Sequence, residues 1–308
     1  MRTPERLRPG LKILGLLPLY FLISIFCFYS SVFGFQAEPD TTVADTLSAW
    51  EMNWVAGING SQSVYSNWSK GGTNSMSLSS SSLILLKYEK NNFEYEFRVR
   101  ARFGKARIQG QGVRKTEDLI RIRNRFLFDI NPDEDSDFRL FGNVNFETQF
   151  SEGFNYGAGP EGEDLLTSDF LAPAYFTQNA GLAYFPQADF SIEAGLGLRQ
   201  TIVQDTTLST RFGLDEGEVF RLEGGITTGI NFELEVMDNI KYLGTLETFT
   251  NIHKSFRRTD IYFSNEFAGR VNDYVNVTFR LDILYDDDFS NRLQLSQALS
   301  AGVTIDIY

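Results

Sequence analysis

The chain has 308 residues, of which 42% are hydrophobic, 14% aromatic and 22% charged, so its composition excludes an intrinsically disordered protein. The net charge of −12 argues against nucleic acid as a partner, because nucleic-acid-binding proteins need basic surface. The mildly negative mean hydropathy excludes a bundle of membrane-spanning helices. It is compatible with a membrane barrel, in which only every second strand residue is apolar.

The N-terminus combines basic residues with one continuous apolar run. Four basic side chains lie between Arg2 and Lys12, and residues 13–28 are almost entirely apolar. This pattern predicts a secretory signal peptide over 1–37, removed close to Glu38, with an uncleaved anchor as the alternative. Cys27, the only cysteine, lies inside the run, so we expect no disulfide in the mature chain.

Residues 38–49 are predicted to form a short periplasmic segment before a barrel over 50–308. From residue 50 the chain alternates apolar and polar residues in segments of roughly ten, which is typical of barrel strands. We predict twelve strands, with ten or fourteen as alternatives. They are placed at 50–59, 77–88, 93–109, 119–130, 138–150, 175–185, 190–203, 219–236, 240–250, 261–271, 274–286 and 293–308.

The predicted connections alternate between short and long. The short ones are 89–92, 131–137, 186–189, 237–239 and 272–273, and the long ones are 60–76, 110–118, 151–174, 204–218, 251–260 and 287–292. Short periplasmic turns and longer outer loops are typical of a bacterial outer-membrane barrel. The sequence therefore predicts an all-β fold, a closed antiparallel transmembrane β-barrel in the cell outer membrane. A soluble β-sandwich is the alternative.

The last predicted strand ends on an aromatic residue, as outer-membrane barrels commonly do. Gly302, Ile305, Ile307 and Tyr308 fit the pattern of an assembly signal. We therefore expect the barrel assembly machinery as a partner, together with outer-membrane lipid and lipopolysaccharide.

Two neighbouring strands place arginines at alternate positions, and these side chains are predicted to share one wall of the lumen. The predicted basic wall consists of Arg98, Arg100, Arg102, Arg121, Arg123 and Arg125. Like charges at this density need carboxylates or bound anions nearby. Glu223, Glu233 and Asp282 are the predicted acidic partners. The lumen is either filled by such pairs or forms a basic wall facing an acidic wall across a narrow pore.

The sequence gives little support for a catalytic site or a metal site. His253 is the only histidine, and with Ser255 it matches part of a His-x-Ser-Asn-Gly motif found in twelve-strand lipid hydrolases. Phe256 and Arg257 replace the Asn and Gly, and no third group to orient the histidine is evident. We predict a protein that is not an enzyme, without catalytic residues, metal or cofactor.

Several segments resemble an uncharacterised family of outer-membrane barrels from Bacteroidota, a domain of unknown function. The similar segments are Asn67–Ser75, Lys115–Asp118, Phe170–Tyr175, Arg211–Gly213 and Arg221–Gly225. The resemblance implies the outer membrane and a barrel, and it implies no substrate. Residues 197–201 depart from the family pattern, which has a Pro and a Lys there.

The first functional hypothesis is a porin-like protein, a narrow channel or transport protein with a charged lumen. The second is a non-conducting structural or assembly partner that binds another protein of the cell envelope. An envelope lipid hydrolase that depends on His253 is the third and weakest.

Overall fold

The computed structural model describes residues 49–64, 73–131, 137–286, 288 and 290–306. The predicted signal peptide, nearly all of the predicted periplasmic segment, and Ile307 and Tyr308 lie outside these residues. Within the described residues, no helix has the length and apolar character needed to cross a membrane.

Twelve strands form one closed antiparallel barrel, which confirms the predicted fold class. Strands that follow each other along the chain are neighbours, β5 pairs with β8, and β14 pairs with β1 to close the sheet. The barrel strands are β1 Trp50–Ser63, β2 Ser75–Lys90, β3 Phe93–Ile108, β4 Gly112–Asp129, β5 Phe138–Thr148, β8 Ala174–Gln187, β9 Phe190–Ile202, β10 Phe220–Met237, β11 Ile240–Asn251, β12 Asp260–Arg270, β13 Val275–Asp286 and β14 Ser290–Asp306.

Four smaller elements lie in the connections between barrel strands. Strands β6 (Gly153–Asn155) and β7 (Leu165–Ser168) pair with each other between β5 and β8. A 3-10 helix, Thr206–Phe212, lies between β9 and β10, and a second, Phe256–Arg258, lies between β11 and β12. All of these connections leave the same end of the barrel, which we call the long-loop end, whereas the opposite short-turn end carries tight turns such as Ala188-Asp189.

The predicted long loop over 110–118 is wrong. Residues 110–118 were expected to form a long connection, but β3 and β4 continue as a hairpin with only Gln109–Gln111 between them. Gly110 and Gly112 adopt positive φ in this turn, which glycine does without strain. The backbone hydrogen bonds between β3 and β4 continue past the point where apolar and polar residues stop alternating. The sequence pattern therefore ends before the strands do.

The closing seam between β1 and β14 is close-packed. Asn59 pairs with Gly302, and Ala56 pairs with Ile305. A Cβ added to Gly302 would meet the Asn59 side chain and lie 2.6 Å from the carbonyl oxygen of Ile58, so glycine allows the two strands to approach. Ile305 is largely exposed on the outside. The role of these two residues in assembly stays a prediction.

Alternation along each strand separates an apolar outer face from a polar inner face. On β9, Ile192, Leu196 and Leu198 are exposed, whereas Glu193 between them is buried inside the barrel. Strand β14 shows the same pattern on its outer face, where the exposed apolar residues are Leu293, Leu295, Leu299, Val303 and Ile305.

Aromatic side chains form a belt on the outer face at the short-turn end. Ring pairs join successive strands around it: Trp50–Tyr88 at 4.7 Å between ring centres, Tyr95–Phe126 at 5.0 Å, Phe138–Tyr184 at 4.8 Å and Tyr242–Phe267 at 4.4 Å. Two of these tyrosines also donate hydrogen bonds to outward-facing amides. The Tyr95 hydroxyl donates to Asn124 Oδ1 (2.8 Å), and the Tyr242 hydroxyl donates to Asn265 Oδ1 (2.5 Å).

Candidate functional site

Side chains from opposite walls meet inside the barrel. The Arg121 guanidinium of β4 lies over the Tyr262 ring of β12, 5.6 Å from its centre, although the two strands are six positions apart in the closed order. An ion pair joins Arg280 of β13 to Glu117 of β4. Because these strands are not neighbours, the contacts cross the lumen.

Two further ion pairs cross the lumen between β9 and strands that are not next to it. Arg125 of β4 pairs with Glu193 of β9. Arg199 of β9 pairs with Asp260 at the start of β12 at 2.5 Å, and its guanidinium also lies 4.1 Å from the centre of the Phe249 ring. The lumen is therefore crossed by side chains at several points.

The six arginines of the predicted basic wall lie on β3 and β4, and the strand register brings four of them directly opposite each other. Arg98 faces Arg123, and Arg100 faces Arg121. Directly opposed residues of antiparallel strands have Cβ atoms about 4.5–5.5 Å apart, so like charges there repel.

Three of the six arginines have carboxylate partners. Arg98 pairs with Glu96 at 3.0 Å, Arg121 with Glu147 at 2.5 Å and Arg125 with Glu193. Within the described residues, the other three make no ion pair. They are Arg100, Arg102 and Arg123.

The predicted acidic partners do not contact these arginines. Glu223 pairs with Arg221 (3.0 Å) and Lys254 (3.5 Å) at the long-loop end, and Asp282 pairs with Arg280 (3.2 Å). Glu233 pairs with Lys241 at 3.4 Å at the short-turn end, with its side chain 52% exposed. Strand tilt and stagger decide which residues meet across a barrel, and the alternation pattern carries no information about them.

A cavity of about 520 Å³ occupies the part of the lumen next to β1, β2 and β3. Its lining is rich in hydroxyl groups, with Ser61, Ser77, Ser79, Ser81, Thr278 and Ser300 among the residues that form it. The charged residues of the lining are Arg100, Arg102, Arg280, Glu117 and Glu266. The Arg280–Glu117 ion pair lies at the edge of this cavity.

On the wall made by β5 and β8, amides line the lumen without protein partners for all of their atoms. The Oδ1 atoms of Asn143, Asn145 and Asn179 are buried and accept no hydrogen bond from the protein. Buried polar groups are normally satisfied, by water where protein groups do not suffice. These amides therefore have hydrogen-bonding capacity left for bound water.

Four charged side chains form what we call the mouth cluster at the long-loop end: Arg221, Glu223, Lys254 and Asp288. Arg221 contacts Asp288 at 2.9 Å and donates to the carbonyl oxygen of Gly213 at 2.7 Å. Lys254 also pairs with Asp288. The cluster joins β10 to three of the connections, and through Arg221 it holds the segment around Gly213 in place.

Two influences oppose each other at Asp288. Burial raises the pKa of its carboxyl group, but the hydrogen bond from Lys254 and the charge of Arg221 outweigh that effect and hold the pKa below its usual range. The connection between β9 and β10 also shares an apolar core with the connection between β5 and β8, consisting of Ala172, Val203, Leu208, Phe212 and Leu214.

The Lys115–Asp118 segment, expected in a loop, lies at a β-bulge near the start of β4. The Lys115 ammonium contacts Asp118 (2.9 Å), Gln149 Oε1 (2.8 Å) and the carbonyl oxygen of Ser151 (2.8 Å). Asp118 also accepts from the backbone N–H of Phe150 at 2.6 Å. Lys115 and Asp118 therefore anchor the connection that follows β5.

Glu117, between them, instead reaches into the lumen to Arg280. The sequence pattern marks this segment only as a family-like element, and it did not predict Glu117 and Arg280 as a lumen pair. A polar segment next to a long connection gives no signal that one of its carboxylates faces inward.

His253 and Ser255 lie in the connection between β11 and β12, and both side chains are exposed. The His253 backbone N–H donates to Asn251 Oδ1 at 2.8 Å. In the part of the chain that the structure describes, no group of three His, Cys, Asp or Glu residues is placed to hold a metal ion.

A family model described as "Protein of unknown function (DUF3078)" matches residues 61–154. The match includes two of the family-like elements, residues 67–75 and Lys115–Asp118. The chain is therefore similar to an uncharacterised family over that range. A search of curated proteins finds no match.

Solved barrels resemble the chain at low identity. The translocator domain of the autotransporter NalP from Neisseria meningitidis is 11% identical, with 93% of this chain and 96% of that one covered and a TM-score of 0.39. The COG4313 outer membrane channel from Pseudomonas putida F1 is 10% identical, with 87% and 98% covered and a TM-score of 0.38. The KdgM porin is 9% identical, with 83% and 99% covered and a TM-score of 0.32. These values assign no activity to the chain.

We predict that the Arg280–Glu117 pair contributes to stability through direct coupling. A double-mutant cycle with Glu117→Gln and Arg280→Gln should give a coupling energy of about 1–2 kcal/mol, because both groups are partly removed from water. The free energy of unfolding in urea, followed by tryptophan fluorescence, measures it. The exposed Glu233–Lys241 pair, mutated in the same way, should give about 0.5 kcal/mol or less. Equal coupling for the two pairs would contradict the prediction.

We predict that Asp288 keeps the mouth connections ordered. Asp288→Asn should reduce hydrogen-exchange protection in 203–219 roughly tenfold at pH 7, because charge-assisted hydrogen bonds to Lys254 and Arg221 are lost. Asp215→Asn, which removes an exposed carboxylate from the same connection, should leave protection unchanged.

The pH dependence of this contribution follows from the lowered pKa of Asp288. The stabilisation is complete above the unfolded pKa of about 3.9 and is lost as the pH falls through the lower folded value. The hydrogen-exchange protection of residues 203–219 in the unmutated protein, corrected for the intrinsic exchange rate, should thus stay constant from about pH 7 to pH 5. A loss of protection within that range would contradict the assignment to Asp288.

Proposed function

We propose that the chain is an integral outer-membrane β-barrel that acts as a narrow channel. One observation carries this proposal: the closed sheet has an apolar outer face and a charged, partly open interior. In a soluble barrel the apolar face would lie inside and the polar face outside.

The outer face supports a lipid environment. Apolar side chains such as Leu196, which is 71% exposed, occur on the outer face of successive strands. Water-exposed apolar surface costs about 25 cal/mol per Å², and soluble monomers rarely expose contiguous patches beyond a few hundred Å². A lipid bilayer removes this cost, and an aromatic belt at one end is typical of its interface.

The interior supports a channel of small bore. The cavity beside β1, β2 and β3 offers a polar surface for hydrated solutes. The contacts from Arg121 to Tyr262 and from Arg280 to Glu117 cross the lumen, so a solute has to pass beside them. Narrow passages with charged walls select solutes by size and charge.

Long connections of bacterial barrels face outward and short turns face the periplasm, which gives the proposed orientation. We also propose the expected signal peptide, an origin in Bacteroidota, contacts with lipid and lipopolysaccharide, and insertion by the barrel assembly machinery. The protein is proposed to have no enzymatic activity, no cofactor and no nucleic-acid partner.

The second candidate is a non-conducting barrel that serves as a structural or assembly partner. The ion pairs that cross the lumen favour it, because a fully packed interior would not carry ions. Its function would then lie in the connections at the long-loop end, which the mouth cluster and the Lys115–Asp118 segment hold in place. Current measurements separate the two candidates.

We predict that a charge is costly on the outer face and harmless in a connection. Leu196→Arg places a cation at the middle of β9 and should cost about 2–4 kcal/mol at the bilayer midplane, so less folded protein should reach the outer membrane. Ile252→Arg changes a residue that is 62% exposed in the connection after β11, and it should have no effect. Mobility of unheated samples on denaturing gels reports the folded fraction. In water both changes would be harmless, so equal levels of the two variants would refute the membrane location.

We predict that the lumen charges set ion selectivity. In planar bilayers, Arg100→Glu combined with Arg123→Glu should shift the permeability ratio towards cations, because these arginines lack carboxylate partners. The matched control is Lys105→Glu with Arg107→Glu, which reverses two exposed charges on β3 and should leave selectivity unchanged. If neither the unmutated protein nor the variant carries current, the channel proposal is wrong and the non-conducting barrel replaces it.

A further inference from the structure

We propose that the lumen cavity binds a small oxyanion, a carboxylate or a phosphate, that also carries hydroxyl groups. Arg100 and Arg102 would hold the anionic group, and the serine-lined wall of β1 and β2 would hold the hydroxyl groups. The inference depends on the placement of these side chains and does not require that solutes cross the barrel.

Arg100 and Arg102 are partly buried and lack carboxylate partners. Both line the cavity, and within the described residues neither makes an ion pair. Buried charges are normally paired, because removing a charge from water is costly. Two neighbouring arginines that make no ion pair therefore favour the binding of an anion.

The carboxylates of the cavity do not remove this positive charge. Glu117 and Glu266 face three arginines, Arg100, Arg102 and Arg280, so the lining carries a net charge of +1. Glu117 is engaged by Arg280. Glu266 lies directly opposite Arg280 in the β12–β13 register, and its negative charge acts on Arg100 across the cavity without forming an ion pair. The arginines of β3 keep unused donors, since a guanidinium has five N–H groups.

Hydroxyl groups lie next to the arginines in the strand register. Ser81 faces Arg102 directly, and Ser79 is two residues away on the same inner face of β2. Ser61 and Ser77 follow further along the cavity, with their hydroxyl oxygens 2.7 Å apart. Each serine both donates and accepts hydrogen bonds, which matches the hydroxyl groups of a polyol chain.

The size of the cavity limits the ligand. About 520 Å³ falls within the range of small-molecule sites and suits a ligand of about six carbon atoms. A bidentate contact from arginine to a carboxylate or phosphate fixes its orientation. The serine wall then distinguishes a hydroxylated anion from a simple one.

The test measures binding to the purified full-length protein in detergent by isothermal titration calorimetry. The probes are gluconate and glucose 6-phosphate as hydroxylated anions, acetate and inorganic phosphate as simple anions, and sorbitol as a neutral polyol. Gluconate and glucose 6-phosphate should bind at least about tenfold more tightly than acetate and inorganic phosphate, respectively, and sorbitol should not bind. Whichever of the two hydroxylated anions binds more tightly identifies the anionic group.

Two variants assign the binding to the proposed residues. Arg100→Gln with Arg102→Gln should weaken gluconate binding at least about tenfold, because both charge-assisted contacts are lost. Lys105→Gln with Arg107→Gln removes two exposed charges from the same strand and should leave binding unchanged. Ser81→Asp places a carboxylate opposite Arg102, and it should abolish anion binding while the barrel stays folded on unheated gels.

The proposal is overturned if the arginine variant binds gluconate as the unmutated protein does, or if sorbitol binds as tightly as gluconate. Equal affinity for acetate and gluconate would overturn the role of the serine wall. Ion conduction in bilayers is measured separately. A barrel that binds gluconate but carries no current would keep this site and refute only the channel.

Discussion

Closure of the sheet is the constraint on which the rest of this structure depends. A strand in lipid must satisfy its backbone groups within the protein, and a closed barrel does so without leaving an edge. The seam between β1 and β14 completes the ring, and Gly302 allows Asn59 and the Ile58 carbonyl group to lie close to β14. Once the ring is closed, each strand residue faces either outward or into the lumen.

Closure of the sheet also forces like charges to lie close together in the interior. Arginines on two neighbouring strands cannot turn away from each other, because alternation fixes them on the inner face. Arg121 and Arg125 find their carboxylates on β5 and β9, whereas Arg100 and Arg102 face a cavity. Charge is thus compensated on one side of the lumen and left positive on the other. This asymmetry makes both selective conduction and anion binding physically reasonable in the same barrel.

The sequence predicts the parts of this structure that depend on local periodicity. Apolar alternation located all twelve strands, and the alternate positions of Arg98, Arg100 and Arg102 placed them on one face. The partners across the lumen could not be predicted in the same way, since they depend on strand tilt and stagger. Glu223 and Glu233 have suitable parity, but they lie at opposite ends of β10 and contact Lys254 and Lys241. The mouth cluster was also missed, because its residues come from connections whose conformation has no periodic signal.

The β-bulge at Thr116 connects the lumen with the long-loop end. In a β-bulge, two residues of one strand lie opposite one residue of the neighbouring strand, and this changes the direction of the side chains next to it. Here the adjacent residues Glu117 and Asp118 serve different sides: Glu117 reaches Arg280 across the lumen, and Asp118 binds Lys115 and the backbone after β5. A displacement of the connection after β5 would therefore pull on the strand segment that carries Glu117. The bulge gives this barrel a short covalent path from the connections at its long-loop end to an ion pair at the edge of the cavity.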